Sequence, residues 1–152
     1  MKTLLLGCLA LFISVTYVSC GNDEPTTDDN PSEYTEKELS LHGGNQRYWK
    51  LKSDLYNNTD LMQSYKACEK DNIHVFDIHG NYNIDAGATK CTDNPEPDLL
   101  RGYYELNEEK NTILLSYGDT TFTADIIELS AEILHWQREV DGAIIQKTYK
   151  VQ

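Results

Sequence analysis

Short alternating runs, broken at close intervals by turn residues, fill the chain from Arg47 to Gln152 without any long helical period. This pattern restricts the segment to an all-β, antiparallel design. In Tyr48 to Tyr56, Trp49, Leu51, Ser53 and Leu55 fall on one face, with Tyr48, Lys50, Lys52 and Asp54 on the other. Thr59 or Asp60 is then placed to cap a short helix, with Leu61 and Tyr65 one turn apart. Ile73 to Ile78 and Tyr82 to Ala86 read as strands turned by His79-Gly80-Asn81. Gly102 to Leu106, Thr112 to Tyr117, Thr121 to Leu129, Ile133 to Val140 and Ala143 to Val151 complete the set. Asn107 to Asn111, Gly118-Asp119 and Ser130-Ala131 mark reversals, and Asp141-Gly142 is a strong hairpin signal.

Eight short strands joined in sequence by tight turns predict an up-and-down meander. Closing it into a barrel removes the unpaired edges, and a two-sheet sandwich is the competing architecture. In Thr121 to Leu129 the apolar phase slips from Phe122, Ala124 and Ile126 to Ile127 and Leu129, which predicts a bulge near Ile126.

A different composition precedes residue 47. Lys2 is followed by an apolar run from Leu4 to Val18, too short to span a bilayer as a helix and of the length of a secretory signal. Val18-Ser19-Cys20 then resembles the lipobox of bacterial lipoproteins, although Tyr17 stands where leucine is usual. The resemblance implies a signal peptide over residues 1–19 and lipidation of Cys20, with at least two acyl chains of the palmitate type. Two chains make attachment stable where one does not. Leu5-Leu6-Gly7-Cys8 matches the box better, but cleavage there would leave no apolar segment, so position decides for Cys20. Gly21 after the cysteine resembles the pattern sorted to the outer membrane, and Asp23-Glu24 resembles export signals toward the cell surface. The expected location is thus the outer membrane, on its periplasmic face or outside. Residues 20–46 read as a flexible acidic tether with Pro25 and Pro31 and little to bury, giving a mean reach of about 30 Å, with a helical turn over Tyr34 to Leu41 as the alternative within it.

The charge excludes one class of partner. With 13 Lys and Arg against 25 Asp and Glu, the net charge is −12, and no basic patch is visible. Such a surface repels phosphate backbones, so nucleic acid is not expected to bind. Solubility explains the acidity, and a monomer is expected. The nucleophile elbow, the His-Glu-x-x-His helix, the phosphate-cradling loop and the dinucleotide fingerprint are all missing from the sequence. The chain therefore reads as a non-enzyme without cofactor or metal. His74 and His79 are five apart and face opposite ways on one strand. Asp93, Glu96 and Asp98 form an acidic loop that is more simply solvated than calcium-bound.

Cys8 leaves with the signal and Cys20 is committed to lipid, which leaves Cys68 and Cys91. In an exported protein these favour a disulfide, with a metal site as the rival reading. Their midpoint lies between His79 and Gly80, at the expected turn, so the pair would meet at the open end of that hairpin. The bridge is worth about 3 kcal/mol in the chain-entropy account.

On these residues the segment Arg47 to Gln152 resembles the lipocalin-like domains of bacterial lipoproteins. The likeness rests on Tyr48-Trp49-Lys50-Leu51, the Cys68–Cys91 hairpin with Phe76 and Gly80-Asn81-Tyr82, Gly102-Tyr103-Tyr104, and Ile127-Glu128-Leu129-Ser130 before Leu134. The family has a glycine two residues before the tryptophan, where this chain has Arg47, so the closed end is expected to be built differently. The resemblance implies a ligand-sized interior and carries over no catalytic residue.

Trp49, Tyr82, Phe122, Trp136 and Tyr149 are candidates to line a pocket, with ordinary core packing as the simpler role for each. Arg138 shares the Trp136 face and is the candidate to meet an anionic ligand group, or to lie in water at the barrel mouth. Two functions follow: a carrier for a small apolar or amphipathic molecule, or a surface module with a filled barrel that binds a protein or glycan.

Overall fold

The computed structural model describes residues 34–91 and 99–152. The expected signal segment, Cys20, the first part of the tether and the Asp93, Glu96, Asp98 loop lie outside the described residues. Nine strands follow in order: β1 (Gln46–Tyr56), β2 (Thr59–Asp60), β3 (Ile73–Asp77), β4 (Asn81–Asp85), β5 (Leu99–Asn107), β6 (Thr112–Tyr117), β7 (Thr120–Leu129), β8 (Ile133–Val140) and β9 (Ala143–Val151). Two short helices accompany them, α1 (Glu36–His42) and α2 (Ala67–Lys70). From β3 onward each strand pairs antiparallel with the next, and β9 returns to pair with β1. β1 also pairs with β3, so the eight long strands close on themselves. Closure decides for the barrel over the sandwich. β2 is a two-residue addition to the end of β1.

The inward alternation builds one core of Trp49, Leu51, Phe76, Tyr82, Ile113, Leu115, Ile126, Leu134, Trp136 and Tyr149. At Gly102 a side chain would not fit, because a Cβ there would lie 1.8 Å from the Ser116 carbonyl oxygen. The turns use the expected residues: Asp141 and Gly142 both take positive φ, as do Gly118 and Asn111. The β7–β8 register shifts between Ile126 and Glu128, which is the bulge that the phase slip predicts.

The first strand departs from strict alternation. Its register against β9 shifts between Leu51 and Ser53, so the inward phase moves from Trp49 and Leu51 to Asp54, which is only 3% exposed. Ser53 and Leu55 thereby lose the inward positions expected of them. The helix expected over residues 59–65 is displaced as well. Asn57 and Asn58 take positive φ and turn the chain back, so that Thr59 and Asp60 pair with Tyr56 and Leu55 instead of capping a helix. The helical turn comes later, at α2, and Cys68 sits on it, off the barrel strands. Cys68 and Cys91 form a disulfide with Cα atoms 5.3 Å apart, tying α2 to the segment after β4. Freed from the ladder, they do not set its register. Phe76 pairs with Tyr82 and His74 with Ile84, one residue off the register that the cysteine midpoint implies. The cause is Asp77, whose carboxylate accepts the amides of His79 and Asn81 at 2.9 and 3.0 Å and fixes a three-residue turn ending at Gly80.

One end of the barrel is sealed by part of the expected tether. Thr35-Glu36-Lys37-Glu38 is a capping box: Thr35 Oγ1 accepts the Glu38 amide at 3.2 Å, and Glu38 Oε2 accepts the Thr35 amide at 2.8 Å. Gly43 ends the helix in the left-handed conformation. Leu41 and His42 are buried, and the Trp49 indole N–H donates to the Leu41 carbonyl at 2.9 Å. Arg47 donates to the carbonyls of Ser40 and Ala131 at 2.6 and 3.1 Å. Where the resemblance has a glycine, this arginine clasps the plug.

Candidate functional site

Above the sealed core, six rings close into a belt around the interior. In strand order they are His74, Tyr82, Tyr117, Phe122, Trp136 and Tyr149, with neighbouring centroids between 4.8 and 6.4 Å apart and Tyr149 returning to His74. The belt exists because β3, β4, β6, β7, β8 and β9 each present a ring at an inward position. Phe76 packs beneath it against Tyr82 at 4.7 Å.

Between the belt and the open end lies a cavity of about 230 Å³, lined by Leu51, Ile84 and Leu100 on the apolar side and by Tyr65, His74, Tyr117 and Lys147 on the polar side. Glu69 and Asn72 from α2 and its flank complete the lining. The β1 bulge brings Asp54 into this region. Its carboxylate accepts the Tyr65 hydroxyl and pairs with Lys147 Nζ at 3.1 Å. Removing either partner from such a buried pair leaves an uncompensated charge.

Burial sets the protonation states. His74 is enclosed by Tyr82 and Tyr149 and shares a 2.7 Å hydrogen bond with the Tyr82 hydroxyl through Nδ1. Desolvation, helped by the nearby Lys147 charge, pushes its pKa down to about 3, so it is neutral at physiological pH. Burial raises the phenols of Tyr65, Tyr82, Tyr117 and Tyr149 as well, with the hydrogen bond to Asp54 adding at Tyr65. All four remain neutral hydroxyls.

The part of the belt that does not line this cavity behaves differently. Arg138 lies with Cζ 3.9 Å above the Phe122 ring; among the described residues it makes no ion pair, and its buried Nε has no hydrogen-bond partner. Trp136 Nε1 is likewise buried without a partner, as is one carboxylate oxygen of Asp54.

The candidates from sequence are thus divided. Trp49 belongs to the sealed end and is core. Tyr82, Phe122, Trp136 and Tyr149 form most of the belt, and Arg138 stands on it. From the sequence, Lys147, Tyr65, Tyr117 and Asp54 are not site candidates, and His74 is weighed only as a metal ligand. Lys147 lies two residues before Tyr149 on the same face, and His74 two before Phe76, so the parity that marked Arg138 marks them equally. Asp54 carries no such signal, because the bulge inverts its parity. Among the described residues no group of three His, Cys, Asp or Glu is placed to hold a metal, and no helix is long and apolar enough to cross a membrane.

The closed eight-stranded, up-and-down barrel with this interior is compatible with a lipocalin-like fold. No family model matches the chain, and no curated protein matches it in sequence.

Proposed function

We propose that this protein is a lipid-anchored binding protein whose barrel holds one small amphipathic molecule. One observation carries the reading: a pocket of about 230 Å³, open to solvent at the barrel mouth, has a lining that is apolar on one side and hydrogen-bonding on the other. Sites of this composition suit a ligand with an apolar body and a polar group. The volume lies below the ~300–1,000 Å³ usual for drug-sized molecules, so the ligand is small. The anchor is lipid on Cys20, after a signal peptide over residues 1–19, and the location is the outer membrane. Chemistry on the ligand is not part of the proposal.

Native mass spectrometry of the gently purified protein tests the binding reading. A retained small-molecule mass supports it. A ligand-free mass together with a specific protein or glycan partner from the cell surface would transfer the function to the outer face. The anchor is tested separately by Cys20→Ala, which is expected to move the protein from the membrane fraction to the soluble one.

A further inference from the structure

We infer that the molecule held in this pocket is uncharged: a neutral amphiphile, of the class of a long-chain alcohol or ketone, whose single oxygen bonds to the Tyr117 hydroxyl. This rests on the binding function proposed above and names the chemistry of its ligand. Three observations carry it.

The first is that the charges of the lining are already engaged within the protein. Lys147 Nζ pairs with the Asp54 carboxylate at 3.1 Å, and Asp54 is only 3% exposed. An anionic head group drawn to Lys147 would compete with that carboxylate, whose other oxygen has no partner among the described residues. Displaced, Asp54 would be left as an uncompensated buried charge. A cationic head group would meet Lys147 itself. Glu69, the other charge in the lining, lies partly exposed on α2, with Oε2 accepting the Lys66 amide at 2.6 Å. An ion pair made there stays in water and adds little. A charged ligand therefore loses hydration on entry and finds no buried partner of opposite sign.

The second is the state of the neutral groups. The Tyr65 hydroxyl donates to Asp54, and His74 Nδ1 shares its hydrogen bond with the Tyr82 hydroxyl. Asn72, with its amide nitrogen turned toward them, reaches the carbonyls of Cys68 and Ala86 at 3.0 and 3.3 Å. Of the polar side chains in the lining, Tyr117 alone makes no hydrogen bond or ion pair with the described residues. Burial keeps its phenol neutral, so the hydroxyl is free to donate to or accept from one ligand oxygen.

The third is the rest of the lining. Leu51, Ile84 and Leu100, on β1, β4 and β5, give an apolar surface for the hydrocarbon body of a ligand whose one oxygen is held at Tyr117 on β6.

The test is a calorimetric titration of the purified protein with three probes of one chain length, 1-octanol, octanoate and octylammonium, near neutral pH and at fixed ionic strength. 1-Octanol is expected to bind at least about tenfold more tightly than either ion. Tyr117→Phe, checked for folding by circular dichroism, is expected to weaken 1-octanol about three- to tenfold, the scale of one neutral hydrogen bond. Tyr103→Phe, exposed on the outer face, leaves the affinity unchanged. Should Tyr117→Phe disturb the barrel, the ranking of the three probes on the parent protein decides alone. Binding of octanoate or octylammonium as tightly as 1-octanol overturns the neutral ligand and leaves the carrier reading standing. A 1-octanol affinity that a folded Tyr117→Phe keeps in full overturns the hydrogen bond assigned to Tyr117. Failure of all three probes to bind overturns the neutral ligand and the binding function together.

Discussion

The barrel holds two tryptophan–arginine pairs, each two residues apart on one strand face, and they live under opposite conditions. Arg47 and Trp49 lie at the sealed end, where every inward donor named above has a carbonyl: Trp49 donates to Leu41, and Arg47 to Ser40 and Ala131. Trp136 and Arg138 lie near the open end, where the indole N–H and the guanidinium Nε have none. The same two residue types thus serve as mortar in one place and stand as buried, unsatisfied donors in the other. The difference teaches that burial alone does not separate core from site; hydrogen-bond satisfaction does.

The largest effect should come from emptying the sealed end. Trp49→Ala is expected to lose about 3–5 kcal/mol in denaturant unfolding, because Trp49 is fully buried and the plug packed on it cannot collapse into the space. A loss below about 1 kcal/mol would mean that the plug does not depend on it.

Acid should act next, and at the open end. The unfolded chain protonates His74 near pH 6.5, whereas the folded state resists until about pH 3. Between those values the unfolded state binds the extra proton, so stability falls as pH falls through this window. The contribution reaches about 2 kcal/mol at pH 5. His74→Gln is expected to flatten that part of the stability profile; an unchanged slope would show that the ring is already open to protons.

A direct contrast of the two indoles is smaller. Trp49→Phe strands the Leu41 carbonyl and should cost about 1–3 kcal/mol more than Trp136→Phe, which removes an orphaned donor. Equal costs would erase the distinction between the two ends. Smallest is Thr35→Ala, expected to cost about 1 kcal/mol by removing the cap of α1, read as a lower melting temperature.

Most of the barrel was legible because it is written in alternation. The β7 bulge could be read since its extra residue, Ile127, is apolar and breaks the phase visibly. The β1 bulge could not: it falls in Lys52-Ser53-Asp54, where every residue is polar and a strict period-two count sends the carboxylate outward. That one slip concealed half of the candidate site, since Asp54 organises both Lys147 and Tyr65. The plug was only half legible: Tyr34 to Leu41 reads as at most a helical turn, and composition hides the rest. Seven residues with two leucines in an acidic stretch do not form a helix alone. Its local signature, Thr35 and Glu38 before Gly43, was nevertheless present, and Trp49 and Arg47 supply the tertiary partners that the stretch itself does not reveal.

The capping contacts of α1 also fix a direction. Thr35 reaches Glu108, and Lys37 reaches Asn111 at 2.7 Å, both in the β5–β6 turn at the sealed end. The chain therefore joins the barrel from underneath, like a stem joining a cup. The described chain thus enters at the end of the barrel away from the pocket that Tyr65, His74, Tyr117 and Lys147 line, and leaves that mouth unobstructed.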